Sequence, residues 1–231
     1  MALAGKGAVA IWHDIAHEGR EPFYAWHGQE HMPERLAIPG FLRGRRYVAI
    51  EGAPEFFNLY ETASTEVLTG PAYLARLNAP TPWTVATVQH FRHVARSLCD
   101  VALSVGDGLG GLCATFRYDI DDGRAGAHRV SMGAALRDLA RTTQVAAAHL
   151  LVADEAASAI ETAERRARGG ERNAIPRWIV LVEGWGDTEP FIAACRAFAA
   201  SGAFEDVAAT PDFAAYRLQN QRDAVTASTA A

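Results

Sequence analysis

Two histidines four residues apart, His27 and His31, stand in the run WHGQEHMPERLAIPGF over residues 26–41. At that spacing they share one face of a helix, and three roles are open to them. They could ligate a metal, as paired histidines do in zinc helices. HGQEH is not HExxH, however: Glu30 adjoins the second histidine, not the first, so it cannot stand where that motif's general base stands. No metal is expected on this ground. They could simply pack or cap the helix. Or one of them could act as an acid–base group at a cavity mouth. Pro33 bears on this last role, because it has no amide hydrogen and clashes with the carbonyl of residue 29. The helix should therefore kink or stop near His31. Freed carbonyls there would favour an imidazolium, and a kink would turn the side chain inward.

Histidine crowds the first half of the chain: His13, His17, His27, His31, His90 and His93, six of eight, with three of the five tryptophans, Trp12, Trp26 and Trp83. The matching segments of the second half are Ala, Leu and Val. A site in the first half, walled by the second, is the expectation. In GAVAIWHDIA (7–16), strand alternation puts Val9, Ile11, His13 and Ile15 on one face and Ala8, Ala10, Trp12 and Asp14 on the other. His13 is expected to face the cavity; otherwise Trp12 does, or His13 is solvated at the strand end. Arg43, Arg45 and Tyr47 share a face of the next strand. A buried arginine needs a partner, so this is either a solvated edge or an anchor whose planar fork grips a carboxylate or phenolate. Asn58 and Tyr60 share a face of the strand after that and could hydrogen-bond a ligand. NAPTPWT (78–84), with Trp83, reads as a lid or as a plain connector. Of His90 and His93, at most one faces inward. The expected catalytic set is His31, His13, His27 and Tyr60. The expected substrate contacts are Trp12, Arg45, Tyr47, Asn58, Trp83 and His90.

Other chemistries find no support. There is no GxSxG, no P-loop and no GxGxxG following a strand. Cys99, Cys113 and Cys195 are odd in number, far apart and free of CxxC spacing. That argues against a disulfide framework or structural zinc and fits a reducing cytoplasm. A net charge of −5 offers no basic stripe for nucleic acid. No run approaches the ~18 apolar residues of a membrane span. The apolar start of the chain is broken by His13 and Asp14 and reads as a first strand, not a signal peptide.

The elements that must position these residues follow from periodicity. The first half reads strand 7–16, helix 18–38, strands 41–52 and 55–64 as a hairpin, helix 64–78, and a segment 90–105 that can supply a fourth strand but also reads as helix. After the glycine-rich GDGLGGL (106–112) the order repeats: strand 112–120, helix 131–144 capped by Ser131, strands 145–154 and 177–187, helix 188–204 begun by Thr188, strand 212–221. The two copies would span 1–108 and 109–222, with a disordered tail at 223–231. Residues 155–176 are extra in the second copy and read as a surface helix and loop. The fold class is α+β: two tandem ferredoxin-like β-α-β-β-α-β units packed sheet to sheet as a pseudo-dimeric α+β barrel. The barrel interior would be the small-molecule cavity.

The order strand, helix with W…EHMPE, IPGF, then the strand RGRRYVA resembles the dimeric α+β-barrel superfamily over roughly residues 7–95, nearest its EthD-like branch. Here two units that usually pair as separate chains would be fused. The resemblance implies cofactor-free or haem-dependent work on small, often aromatic metabolites by lyases, isomerases, dehydratases or oxygenases. The expectation is a cofactor-independent enzyme of that kind, monomer or homodimer, with His31 or His13 as general acid–base. Tyr60 and an arginine would orient the substrate. A haem protein held through one histidine, or a non-catalytic binding barrel, are the alternatives.

Overall fold

A computed structural model describes residues 2–169 and 172–225. Eight strands alternate with helices: β1 (Gly7–Ile15), α1 (Arg20–Trp26), a π-helical turn (His27–His31), α2 (Met32–Leu36), β2 (Phe41–Glu51), β3 (Phe56–Thr62), α3 (Glu66–Thr69), α4 (Pro71–Asn78), α5 (Pro82–Val88) and β4 (Phe91–Gly106). The second half supplies β5 (Leu112–Tyr118), α6 (Ala125–Leu139), β6 (Val145–Ala153), α7 (Glu155–Ala159), α8 (Ala163–Ala167), β7 (Trp178–Gly184), α9 (Thr188–Ala200) and β8 (Asp212–Asp223).

The strands close a barrel in the order β1-β3-β2-β8-β5-β7-β6-β4. The first four run 4-1-3-2 and the last four repeat that order. The two sheets face each other and are hydrogen-bonded along both shared edges, β2 to β8 and β4 to β6. Closure leaves no open strand edge to template pairing with another chain. We place the division between the copies at 108/109, in the connector between β4 and β5.

The barrel interior is not a cavity. Trp12, Tyr47, Phe57, Leu181 and Tyr216 fill it, with Trp12 stacked on Phe57 at 4.9 Å between ring centroids. Regular alternation along β1 therefore sends His13 the other way, to the helix layer, and Trp12 inward as packing. Arg45 and Tyr47 also point into the barrel. Arg45 sits 2.8 Å from Glu61 and 2.9 Å from Glu183 and donates to the Tyr47 hydroxyl at 2.7 Å. Burial disfavours ionised Glu183, but His149 and Arg45 outweigh it and hold the carboxyl below its ordinary range. A buried guanidinium persists only with such partners, so Arg45 and Tyr47 belong to barrel structure.

Several local expectations are corrected. The helix does not stop at His31. It absorbs Pro33 by opening one π turn, which removes the hydrogen bond that proline could not make. The segment 64–78 is two helices split at Gly70-Pro71. Helix α6 starts at Ala125, six residues before Ser131, whose hydroxyl instead bonds the His128 carbonyl within the helix. Asp187, not Thr188, occupies the N-cap of α9. The last strand runs to Asp223, where Arg43 donates to its carboxylate at 2.8 Å, so the expected tail begins inside a strand. Its residues 226–231 lie outside the described residues.

Candidate active site

The space that matters lies between the sheet of the first copy and its helices. A cavity of about 50 Å³ is lined by Ile11, Asn58 and Tyr60 from the strands and by Trp26, His27, His31 and Arg35 from the helical layer. Its wall is completed by Arg96 and by Glu164 and Arg168. The last two come from the 155–176 insertion of the second copy, which is thus a wall of the first copy's cavity. Glu164 forms an ion pair with Arg35, and the Asn78 side chain accepts from the Ala163 amide at 3.1 Å. Sequence reasoning took this insertion for unattached surface. Only its charge, ERRAR at 164–168, hinted at a partner.

His27 and His31 are both buried, with ring centroids 5.6 Å apart. Burial, reinforced for His27 by His31 and for His31 by Arg35, lowers both pKa values well below the ordinary histidine value. They are neutral at physiological pH, and the imidazolium expected at a frayed helix end is overturned: the helix does not fray, and desolvation dominates. The Tyr60 hydroxyl lies 3.1 Å from His27 Nε2. Burial pushes the Tyr60 pKa up, so the phenol keeps its proton and can donate it to Nε2 in the Nδ1–H tautomer of His27. His27 then carries its own proton on Nδ1, and that atom has no partner among the described residues. His31 rests on the Trp26 indole at 4.2 Å between centroids, and its Nδ1 is likewise unpartnered.

His13 stands one layer back. Its Nε2 lies 2.8 Å from Asn58 Nδ2 and its Nδ1 3.4 Å from the Asp14 carbonyl. Burial lowers its pKa to about 3. Donation from Asn58 to Nε2 turns the amide so that Asn58 Oδ1 is left unpartnered. His13 therefore aims Asn58 at the cavity and does not line it. Gly44 of β2 lets this layer close up: a Cβ there would stand 3.0 Å from Tyr60 and 3.1 Å from Met32.

The structure brings His27, His31, Tyr60 and Asn58 together, with His13 behind them. It does not bring Trp12, Arg45, Tyr47, Trp83 or His90 to the site. Trp83 is 38% exposed on α5. In place of a lid, α5 offers Thr84, which accepts from Trp26 Nε1 at 3.1 Å, while Thr81 donates to Glu30 at 2.6 Å. Glu30 thus ties the helix to α5. His90 lies by Glu18 at 3.7 Å, and His93, on positive φ, bonds Asp14 at 2.8 Å; neither faces inward. Sequence reading missed Arg35, Arg96, Glu164 and Arg168. The described residues hold no cluster of three or more metal-ligating side chains, and no described helix is long and apolar enough to cross a membrane.

No protein-family model and no curated protein matches the sequence. Solved structures do match in shape. An anthrone oxidase-like protein superposes with a TM-score of 0.63 at 14% identity, over 100% of this chain and 99% of its own. A protein from Fusobacterium nucleatum named a candidate monooxygenase gives 0.58 at 6% identity, over 96% of each chain. A heme-binding protein from Thermus thermophilus gives 0.52 at 12% identity, over 94% of this chain and 92% of its own. By fold this chain is a dimeric α+β barrel. The likeness covers both halves of this chain. At these identities the dimeric α+β-barrel likeness is one of fold, and the chemistry rests on this chain's own residues.

Proposed function

We propose that the protein is an enzyme that runs acid–base chemistry on a small hydrophobic or aromatic metabolite in the helix–sheet cavity of the first copy. One observation carries this reading: His27 Nδ1, His31 Nδ1, Asn58 Oδ1 and Arg35 Nη1, four buried polar atoms without partners, belong to residues lining one cavity. Buried polar atoms without partners are rare, and each costs about 1–3 kcal/mol. Their presence around one cavity that aromatic side chains also line supports a ligand that supplies the missing bonds. His31, neutral and braced on Trp26, takes a proton from a carbon or oxygen acid. His27, held by Tyr60, donates from Nδ1 to the oxygen on which charge develops. Proton abstraction of this kind opens an isomerisation, dehydration or lyase step, or a reaction of the resulting anion with dioxygen. The anthrone oxidase-like neighbour favours the last.

In its closed form the cavity is smaller than the about 150 Å³ that holds benzene. A single ring enters if α8 swings outward, and α8 has no buried residue to hold it. Haem, suggested by one neighbour, does not fit these residues. A macrocycle would need several times that space, and one wall is the sheet backing onto the filled barrel. We propose that the enzyme is cofactor-independent. The closed barrel needs no second chain, so monomer and homodimer both suit it. Cytoplasmic location is part of the same proposal.

The test is solvent deuterium exchange into single-ring carbon acids and into anthrone, followed by NMR. Exchange above the buffer rate, lost in His31→Gln, is expected. Equal exchange in the wild type, His31→Gln and His27→Gln overturns the acid–base reading. Binding without exchange would favour the non-catalytic barrel.

A further inference from the structure

The mouth of the cavity carries more positive charge than its structure uses. Three guanidinium groups line the cavity, from buried Arg35 and from Arg96 and Arg168, against one carboxylate, Glu164. Glu164 is committed to Arg35. Among the described residues, the polar side-chain contact of Arg96 is to the Tyr73 hydroxyl at 2.9 Å, and that of Arg168 is to Asn173 at 2.8 Å; both partners are neutral. Both arginines are only partly buried, whereas His27 and His31 are buried. Positive charge therefore marks the open end of the cavity and neutral acid–base groups its closed end.

Two like charges lining one half-desolvated cavity are costly unless something answers them. Burial lowers the Arg168 pKa to about 10; Glu164 works against that shift, and Arg96 adds to it. Local scaffolding keeps Arg96 in place: its backbone amide donates to the Ala174 carbonyl at 2.9 Å, and Ala95 pairs with Ala174. The insertion is thus sewn to β4 beside Arg96.

We propose that the ligand of this cavity is a monocarboxylic aromatic acid, its carboxylate gripped by Arg96 and Arg168 and its ring directed inward at Asn58, His27 and His31. This rests on the location of the site proposed above, but not on His31 being a base. Arginine presents a planar fork matched to a carboxylate, which a neutral amide of the same shape cannot satisfy. Arg168 would make the second copy's insertion the specificity element of the first copy's site. An anion here would also raise the pKa of the nearby histidines toward a useful range for proton transfer.

The experiment uses the full chain and two isosteric probes, benzoate and benzamide, titrated while Trp26 emission and ligand-observed NMR are followed. Benzoate is expected to bind at least about tenfold more tightly, as two charge-assisted contacts imply. In Arg168→Gln the preference should collapse toward unity, and Arg168→Lys should restore part of it. Arg96→Gln should weaken benzoate more than benzamide. Circular dichroism and melting checks each variant's fold, and Arg165→Gln on the same short helix serves as a folded control that keeps the preference. Equal binding of the two probes, no measurable binding of benzoate, or a preference untouched by both Arg168→Gln and Arg96→Gln overturns the proposal. Each of these can occur while deuterium exchange still depends on His31, so failure here is distinct from failure of the acid–base reading.

Discussion

The two copies can be laid on each other through their strand registers, and they differ where it matters. Asn58 and Tyr60 of β3 correspond to Val180 and Val182 of β7, and Ile11 of β1 to Phe116 of β5. Gly44 of β2 corresponds to Ala148 of β6. In the second copy the helix–sheet space is filled by Phe116, Met132, Leu136, Phe191, Phe198 and Phe204. The first copy places a smaller aliphatic at the Phe116 position and polar groups at the valine positions, and there the cavity opens. One backbone plan thus serves as packed core on one side and as a site on the other. The barrel interior shows the opposite behaviour: Glu61 and Glu183 occupy matching positions, as do Arg45 and His149. Polar groups that hold the barrel are repeated, whereas those that could do chemistry are not.

The comparison breaks most sharply at the histidines. His31→Gln is expected to lower turnover by about 10²–10⁴-fold, the usual worth of a positioned acid–base group, while His128→Gln in the second copy leaves it unchanged. The His128 ring bonds the Tyr118 hydroxyl at 2.8 Å. Equal losses in His31→Ala and His27→Ala would show the two histidines acting as one unit. Next comes the packed side. Phe116→Ala should cost about 3–5 kcal/mol in urea unfolding, because its ring meets Phe198, Phe204 and Phe213. A loss below about 1 kcal/mol would mean that the second copy is not the tighter half.

Acid should find the first copy. His13, His27 and His31 all have lowered pKa values in the fold. The unfolded chain therefore takes up protons, as pH falls below the ordinary value near 6.5, that the folded chain refuses. Stability is full above that pH and falls below it by up to about 1.4 kcal/mol per pH unit for each histidine, until the folded pKa is reached. For His13 that limit is about 3. Urea midpoints measured from neutral to mildly acidic pH should fall less steeply in His27→Gln; parallel curves would place the acid sensitivity elsewhere. The smallest stability change is expected of Ile11→Phe, which gives the first copy the second copy's residue. It should stay within about 1.5 kcal/mol of wild type by filling the cavity, yet abolish benzoate binding. Retained binding would place the ligand elsewhere.

Much of the fold was legible in the chain. Alternation and caps marked all eight strands, the glycine-rich turn marked the repeat, and the uneven histidines marked the half that differs. What periodicity could not say is which face of a strand looks at which neighbour. Alternation correctly separated Trp12 from His13, but whether the barrel or the helices received each face depended on how the sheets closed. That one choice moved the cavity from the barrel to the helix layer and turned Trp12, Arg45 and Tyr47 from ligand contacts into packing and ion pairs. Pro33 was visible as a defect, but the chain met it with a π turn, and desolvation rather than freed carbonyls then set the histidines' charge.

By itself the sequence determined the elements, their order, their repetition and the chemical asymmetry between the copies, because these depend on local spacing and composition. Only the tertiary structure decided where the site lies and what lines it. Its wall joins Ile11 to Arg168 across more than half the chain, and long-range contacts of that kind arise from closure of the barrel and from the insertion of one copy folding over the other.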